Sequence, residues 1–324
     1  MIPDEKQSLV KRALEQAFGA NEFEEIEKLT GGLSTALVFR IVVKGKPYLL
    51  RVIMRTDAFG DPTRQWECMK PAAEAGIAPR VWYVSAEDRI LITDFVEAKP
   101  FPADFAWMMA RTIRKVHELP PFPAPTNNYF GVIDGFVERL KAKNLLREKD
   151  AEELFRGYAE IAKVYPRGDD DVASHNDLKP QNIVYDGARA WLVDWEAAFL
   201  NDRYLDLAVV ANFFVRDDAE EERYLSEYFG EKPDEYRRAR FCLMKQFIHA
   251  ACASWLMVLA AGTGPVDMEA TAREFRDFHE RLIANEVNVA EPQAKVAYAK
   301  VHLKRVLENM RTQRFRDALA VVRG

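Results

Sequence analysis

Residues 174–194 read SHNDLKPQNIVYDGARAWLVD, and the rest of the chain is arranged around them. His175, Asp177 and Asn182 stand in the spacing H-x-D-x-x-x-x-N, and the short apolar run Trp191-Leu192-Val193 ends in a second carboxylate, Asp194. Transfer of a phosphoryl group from a nucleotide to a hydroxyl needs these parts. One Asp accepts the proton of the attacking hydroxyl, and an Asn and a second Asp hold the magnesium ions that bridge the phosphates. Asp186-Gly187, flanked by Ile183-Val184-Tyr185 and Trp191-Leu192-Val193, is a tight-turn signal between two short strands. A hairpin there brings Asn182, at its start, beside Asp194, at its end. Taken singly, Asn182 reads as a turn residue and Asp177 as a cap. The joint pattern carries the chemistry.

The 324 residues suffice for one large or two ordinary domains. A composition 48% hydrophobic and 30% charged is that of a soluble globular chain and excludes disorder as the main state. The formal net charge of −5 speaks against a general nucleic-acid binder and is compatible with a cationic ligand. Three cysteines, Cys68, Cys242 and Cys252, form no Cys-x-x-Cys pair, which disfavours a disulfide scaffold or zinc ribbon and points to a reducing cytoplasm. The N-terminus has no apolar signal-peptide core. The most apolar run, Ala250–Ala261, is too short for a membrane span and reads as a buried helix.

Outward from the central stretch, Pro3–Phe18 has the apolar spacing of an amphipathic helix. Strands are expected at Phe23–Leu29, Leu37–Val43 and Tyr48–Ile53. The turn Thr30-Gly31-Gly32-Leu33-Ser34-Thr35 lies between the first two, where glycine lets backbone N–H groups approach a phosphate. Arg51 on the third strand is the candidate phosphate grip. Glu67, in a helix capped by Asp61-Pro62, is its candidate partner. Arginine holds phosphate and carboxylate as a fork where lysine acts as a point charge. A second hairpin, Arg80–Ser85 with Arg89–Phe95, leads through Thr93-Asp94-Phe95-Val96 to a hinge with backbone groups to offer an adenine edge. Helices follow at about Ala103–Leu119, Ile133–Leu146, Glu148–Val164, Tyr204–Phe214, Pro233–Ala260, Met268–Asn285, Pro292–Met310 and Arg314–Val322. The charge run Asp217–Arg223 reads as a solvated face.

These residues resemble the choline/ethanolamine kinase branch of the aminoglycoside-phosphotransferase-like kinases along most of the chain. Gly31-Gly32-Leu33-Ser34 looks like the phosphate loop, and Tyr48-Leu49-Leu50-Arg51 like the third strand, where arginine is normal in that branch. Ile92-Thr93-Asp94-Phe95-Val96 is similar to the hinge. His175-Asn176-Asp177 favours the branch because the antibiotic kinases usually carry glycine where Asn176 stands. Asp194-Trp195-Glu196 and Asn201-Asp202 to Asp206-Leu207-Ala208 complete the signature. The resemblance implies an α+β, protein-kinase-like two-lobed fold. A small antiparallel β N-lobe (1–97) would bind the nucleotide, and a large, mainly helical C-lobe (98–324) would carry the catalytic loop and substrate site. It implies ATP and Mg2+ as cofactors, with Asp177 as base and His175 and Asn176 in the catalytic motif. Asn182 and Asp194 would bind metal, Gly32, Ser34, Thr35, Arg51 and Glu67 would serve the phosphates, and the Asp94 and Val96 backbone would meet adenine. Glu196 and Trp255 would serve a small, cationic alcohol. The family's second pocket tryptophan, one helical turn after Trp255, is replaced by Val258, which leaves thiamine, an aminoglycoside or another small hydroxyl compound open. A pseudokinase would be expected to have lost Asp177, Asn182 or Asp194. A protein kinase is disfavoured because Trp-Glu, not Phe-Gly, follows Asp194. Oligomeric state is not legible.

Overall fold

The computed structural model of the chain describes residues 2–29, 36–56, 61–124, 129–168, 170–263, 267, 271–284 and 286–324. The glycine turn, with the expected phosphate-loop residues Gly32, Ser34 and Thr35, lies outside them.

The chain divides into two compact units that are not contiguous in sequence. The first gathers Met1–Ala103, Lys115–Pro123 and His175–Phe199; the second gathers Asp104–Arg114, Ala124–Ser174 and Leu200–Gly324. The first exchange falls near the cut expected at 97/98. The catalytic stretch, however, joins the sheet-bearing unit instead of the helical one, because its hairpin bonds to that unit's own backbone.

The first unit is built on an antiparallel five-stranded sheet in the order β1-β2-β3-β5-β4. Its strands are β1 (Glu25–Leu29), β2 (Leu37–Val43), β3 (Lys46–Val52), β4 (Val81–Ser85) and β5 (Ile90–Asp94). Alternation decides which face is buried. Phe39, Ile41 and Val43 of β2 and Tyr48, Leu50 and Val52 of β3 point into one core with Ile90 and Ile92 of β5. Helix α1 (Asp4–Phe18) covers that core with Val10, Ala13 and Leu14, and ends at Gly19 in the left-handed conformation. Helix α2 (Thr63–Glu74) starts where the Asp61 carboxylate accepts from the Thr63 amide at 2.9 Å, and buries Trp66, Cys68, Met69 and Ala72. The short hairpin β7 (Ile183–Tyr185) with β8 (Ala190–Leu192) is tied on by Leu192 N to Ile77 O at 2.9 Å and Lys99 N to Tyr185 O at 2.7 Å.

The second unit holds α3 (Phe105–His117) for most of its length, α4 (Tyr129–Lys143), α5 (Glu148–Val164) and the pair β6 (Asp171–Ser174) with β9 (Phe199–Asp202). Helices α6 (Arg203–Phe214), α7 (Asp218–Phe229), α8 (Glu235–Gly262), α9 (Phe275–Ile283), α10 (Pro292–Met310) and α11 (Gln313–Arg323) complete it. Helix α8 is the hub and packs against α4, α6, α10 and α11. It is long and apolar enough to cross a membrane, yet 72% of its most apolar window is buried inside the protein. Two sequence expectations change. The charge run Asp217–Arg223 is not simply a solvated face: it opens α7 and buries Glu221, whose carboxylate takes Lys245 at 2.8 Å and Arg314. Of the helix expected over Met268–Asn285, residues 268–270 and 285 lie outside the described residues, 271–274 are not helical, and α9 begins at Phe275.

Three of the five histidines, His249, His279 and His302, meet inside this unit with Phe275 and Tyr298. His249 and His302 share an Nδ1–Nδ1 hydrogen bond of 3.0 Å, and His279 bonds Phe275 O at 2.9 Å and Tyr298 Oη at 3.1 Å. Burial holds all three below the ordinary imidazole range, His279 at about 3, and the cations Lys245, Arg276 and Arg305 reinforce the effect. The unfolded chain takes up these protons near pH 6.5 and the folded chain refuses them. This contribution to stability is therefore complete above about pH 6.5 and is lost as pH falls below it; for His279 the loss runs toward pH 3, at about 1.4 kcal/mol per pH unit. Denaturant titrations at pH 7.5 and 5.5 should show the lower stability at pH 5.5, and His279→Gln should flatten the slope by about one proton. An unchanged slope in that variant would show that His279 is protonated in the folded protein.

Candidate active site

Two reversals of the backbone shape the site. Asn176 and Asp194 both adopt left-handed conformations, φ 65° and 63°, which side chains other than glycine seldom enter. Asn176 tolerates it because its short amide bonds locally: Nδ2 donates to Ala197 O at 2.9 Å and lies 3.4 Å from Phe199 O. Glycine would take the same turn without tying down the 197–199 segment, which is the physical content of asparagine at this position. His175 is fully buried against the Trp195 ring, with Nε2 donating to Val193 O at 3.0 Å. His175 and Asn176 therefore hold the two acidic turns in place from within, and Asp177 is the motif residue that remains part-exposed.

The hairpin does what its sequence implies. Ile183 pairs with Leu192, and Val193 N donates to Asn182 O at 3.0 Å, so Asn182 abuts the residue before Asp194. Lys179 precedes Pro180 and is extended (φ −74°, ψ 158°), which starts the one-turn helix Pro180–Asn182. Asn182 Nδ2 donates to Asp177 O at 2.9 Å and Oδ2 at 2.8 Å. With its amide nitrogen committed to two acceptors, Oδ1 is the atom it can offer a cation. Asn182 Oδ1 and the Asp194 carboxylate are hard oxygen donors of the kind magnesium takes beside nucleotide phosphates. Among the described residues no group of three or more His, Cys, Asp or Glu can hold a metal. A metal here would fill its shell from phosphate and water, which suits this donor set.

Arg51 lies on β3 as expected, with its guanidinium 13% exposed, but its carboxylate partners differ from the expected one. Nη1 donates to Asp194 Oδ1 at 2.8 Å and Nη2 lies 3.9 Å from Glu196 Oε2. Glu67 is exposed on α2 and does not form the expected ion pair with Arg51; that pairing is corrected. The fork spans two carboxylates that follow the hairpin, so the strand cation is tied to the metal-ligand candidate itself. Glu196 is open to solvent, and loss of water on its inner side, followed by the charge of Asp194, pushes its carboxyl above the ordinary range. Lys179, which the sequence reading passed over, places Nζ 2.5 Å from Asp177 Oδ2. Its signal was there: a cation two residues after the candidate base, fixed by the proline that follows.

At the hinge, Asp94 N donates to Arg80 O at 3.0 Å and its carboxylate accepts from Trp82 Nε1 at 2.7 Å, while its carbonyl accepts from Thr93 Oγ1 at 3.2 Å and keeps a second lone pair for a ligand. Val96 lies two residues on, in the irregular segment after β5. In the helical unit, Trp255 is 41% exposed on the mostly buried α8, with Leu259 exposed one turn on. It is not plain core.

A five-stranded antiparallel sheet, a catalytic-loop hairpin and a helical unit of this order make the fold protein-kinase-like, of the kind seen in small-molecule phosphotransferases. The chain belongs to the phosphotransferase enzyme family known as APH, which it matches over residues 25–242. A stretch of 154 residues is 27% identical to the aminoglycoside 3'-phosphotransferase of Streptomyces fradiae. That match covers 43% of this chain and spans 58% of the length of the relative. Among solved structures, a choline/ethanolamine kinase family protein from Mesorhizobium loti superposes with a TM-score of 0.68 at 21% identity, covering 98% of this chain and 99% of that one. The choline kinase of Streptococcus pneumoniae gives 0.57 at 15% identity (89% and 99%). A spectinomycin phosphotransferase solved with ADP and spectinomycin gives 0.56 at 13% (91% and 98%).

The left-handed turn before Asp177 can be tested directly. Asn176→Ala should lower unfolding free energy by about 1–3 kcal/mol, because it adds left-handed strain to two lost bonds. Asn176→Gly, which loses only the bonds, should cost less. Equal or reversed costs in denaturant titrations would show that the backbone conformation is not what constrains this residue.

Proposed function

We propose that the protein is an ATP- and magnesium-dependent kinase that phosphorylates a hydroxyl of a small, cationic alcohol of the choline or ethanolamine kind. The observation that carries the kinase reading is the convergence of Asp177, Asn182 and Asp194 through one hairpin and one side-chain bond, with Arg51 on the same cluster. In this reading Asp177 orients the acceptor hydroxyl and takes its proton. Both donors on its carboxylate, Lys179 and Asn182, lie on Oδ2, which leaves Oδ1 for the acceptor among the described residues. Asn182 and Asp194 hold magnesium, which supplies charge neutralisation at the phosphates. Arg51 serves the phosphates from β3, and the Asp94 carbonyl and Val96 amide meet the adenine edge.

The cationic part of the reading rests on three features. Glu196 offers an exposed carboxylate close to Asp194, Trp255 offers an exposed aromatic face to an ammonium, and the chain is acidic overall. The alternative acceptor is an aminoglycoside. The stretch shared with the Streptomyces fradiae protein favours it, and it too is a polycationic hydroxyl compound. The retention of all three site residues supports a catalyst over a nucleotide-binding pseudokinase. The proposed setting is the cytoplasm.

ATP consumption measured against choline, ethanolamine, thiamine and kanamycin tests the reading. Asp177→Asn should reduce turnover on the accepted substrate by about 10²–10⁴-fold while the melting temperature holds. Trp255→Ala should raise KM for a quaternary ammonium alcohol by roughly ten- to thirtyfold, the worth of a closed cation–π contact. Wild-type turnover in Asp177→Asn would overturn the catalytic assignment. Turnover on neutral sugars alone would remove the cationic substrate and keep the kinase.

A further inference from the structure

Resting on the kinase reading above, we propose that Arg64 is a positioning residue of the site. From α2 it holds the backbone of Glu196, and through the turn to which Glu196 belongs it keeps the Asp194 carboxylate in its metal-binding place.

The turn after Asp194 gets little hold from its own bonds. The one-turn helix Trp195–Ala197 is closed by the backbone bond from Ala198 N to Trp195 O at 3.1 Å, and it starts from the left-handed Asp194. Single turns of this kind have poor internal hydrogen-bond geometry. Side chains from outside take three successive carbonyls. Glu196 O accepts from Arg64 Nη2 at 2.9 Å, Ala197 O from Asn176 Nδ2 at 2.9 Å, and Ala198 O from Cys68 Sγ at 3.6 Å. Arg64 and Cys68 stand four residues apart on α2, so they share the face that packs on this turn. The thiol is a weak donor. The guanidinium is charged, its residue is half-buried, and its carbon lies 5.8 Å from the centre of the Phe199 ring, which gives it a second anchor.

The two arginines on this turn act on different atoms. Arg51, from β3, meets the carboxylates of Asp194 and Glu196. Phosphate competes for that guanidinium and metal for those carboxylates, so on the kinase reading the Arg51 contacts exchange when nucleotide binds. Arg64 meets a main-chain carbonyl that is turned toward α2, and phosphate, itself an acceptor, has nothing to gain there. Its hold therefore persists through the exchange. Glu67 on the same helix is exposed and makes no ion pair with Arg51, so the tie between α2 and the site runs through the backbone of this turn. Loss of Arg64 would free the Glu196 peptide to rotate. Asp194 lies two residues before it at positive φ, and strain of that kind relaxes once the surrounding bonds no longer over-determine it. The Asp194 carboxylate would then shift away from Asn182, and a bound metal would lose a donor while the hinge stayed as it is.

The full-length protein can be titrated calorimetrically with ADP in the presence of a chelator and with ADP in excess magnesium. Wild type should bind ADP more tightly with magnesium. Arg64→Ala should bind magnesium-free ADP within about twofold of wild type, yet lose roughly three- to tenfold of the gain that magnesium brings, the worth of one partly exposed charged hydrogen bond. Arg64→Lys should recover part of that loss, and the melting temperature of both variants should stay within about 2 °C of wild type. Turnover of Arg64→Ala should fall at limiting magnesium and recover as magnesium is raised, which a general loosening of the fold would not allow. A full magnesium gain in Arg64→Ala, or an equal loss with and without magnesium, would overturn the proposal. No magnesium gain in wild type would overturn the kinase reading and the proposal with it, and it is seen before any variant is made.

Discussion

The site depends on one unfavourable backbone choice made twice. Asn176 and Asp194 sit at positive φ on either side of the catalytic hairpin. Such strain persists only where surrounding bonds over-determine it. The bonds are present: Asn176 on Ala197 O, His175 on Val193 O, and Arg51 on the Asp194 carboxylate. Each links one strained turn to the strand or segment on the other side. Without them the turns would relax toward ordinary dihedrals, and Asp177 and Asp194 would leave the geometry that puts Asn182 between them. The buried Trp195 ring, packed on His175 and Phe122, fills the space under this arrangement.

The helical unit solves a related problem with charge. Arg240 on α8 is 3% exposed and donates to Asp170 and to Asp202, both at 2.6 Å. Asp202 also accepts from Tyr165 Oη and caps α6 through the Tyr204 amide at 2.8 Å. Burial pushes the Asp202 carboxyl up to about 6, against the pull of the guanidinium. Enclosing such a group costs several kcal/mol that a hydrophobic replacement would not incur. In return it fixes α8, β9, the start of α6 and the segment between α5 and β6, which carries Tyr165 and Asp170, to one another. The same logic explains Glu221, which joins α7 to α8 and α11.

How far the sequence could be read follows from where each signal lives. Local signals were reliable. Asp186-Gly187 marked the hairpin, Pro292 opened α10, and the spacing in Glu148–Val164 gave α5 its observed bounds. Partners across the fold were not legible. Glu67 was assigned to Arg51 because a helix glutamate is the usual companion, and nothing local shows that the fork reaches Asp194. Charge density in Asp217–Arg223 hid a helix, because a buried carboxylate needs cations from α8 and α11 that lie far along the chain. Trp255 shows the limit from the other side. An apolar helix predicts burial on most faces, and only packing decides which residue faces water. The separation of the catalytic stretch from the helices around it in sequence was likewise invisible, since it rests on backbone bonds to Ile77 and Lys99.

Two arginines show how burial sorts ion pairs by use. Arg240 and Asp202 are both nearly inaccessible, at 3% and 1%, so water and salt do not screen their attraction and neither partner can exchange without exposing a bare charge. Arg51 holds carboxylates that are 23% and 58% exposed. There water competes for every charge, the attraction is partly screened, and a change of partner leaves nothing stranded in a low dielectric. The first arrangement suits a joint that must not move. The second suits a cluster that, on the proposed function, would exchange its internal contacts for phosphate and metal, and it includes Asp194 at the end of the hairpin.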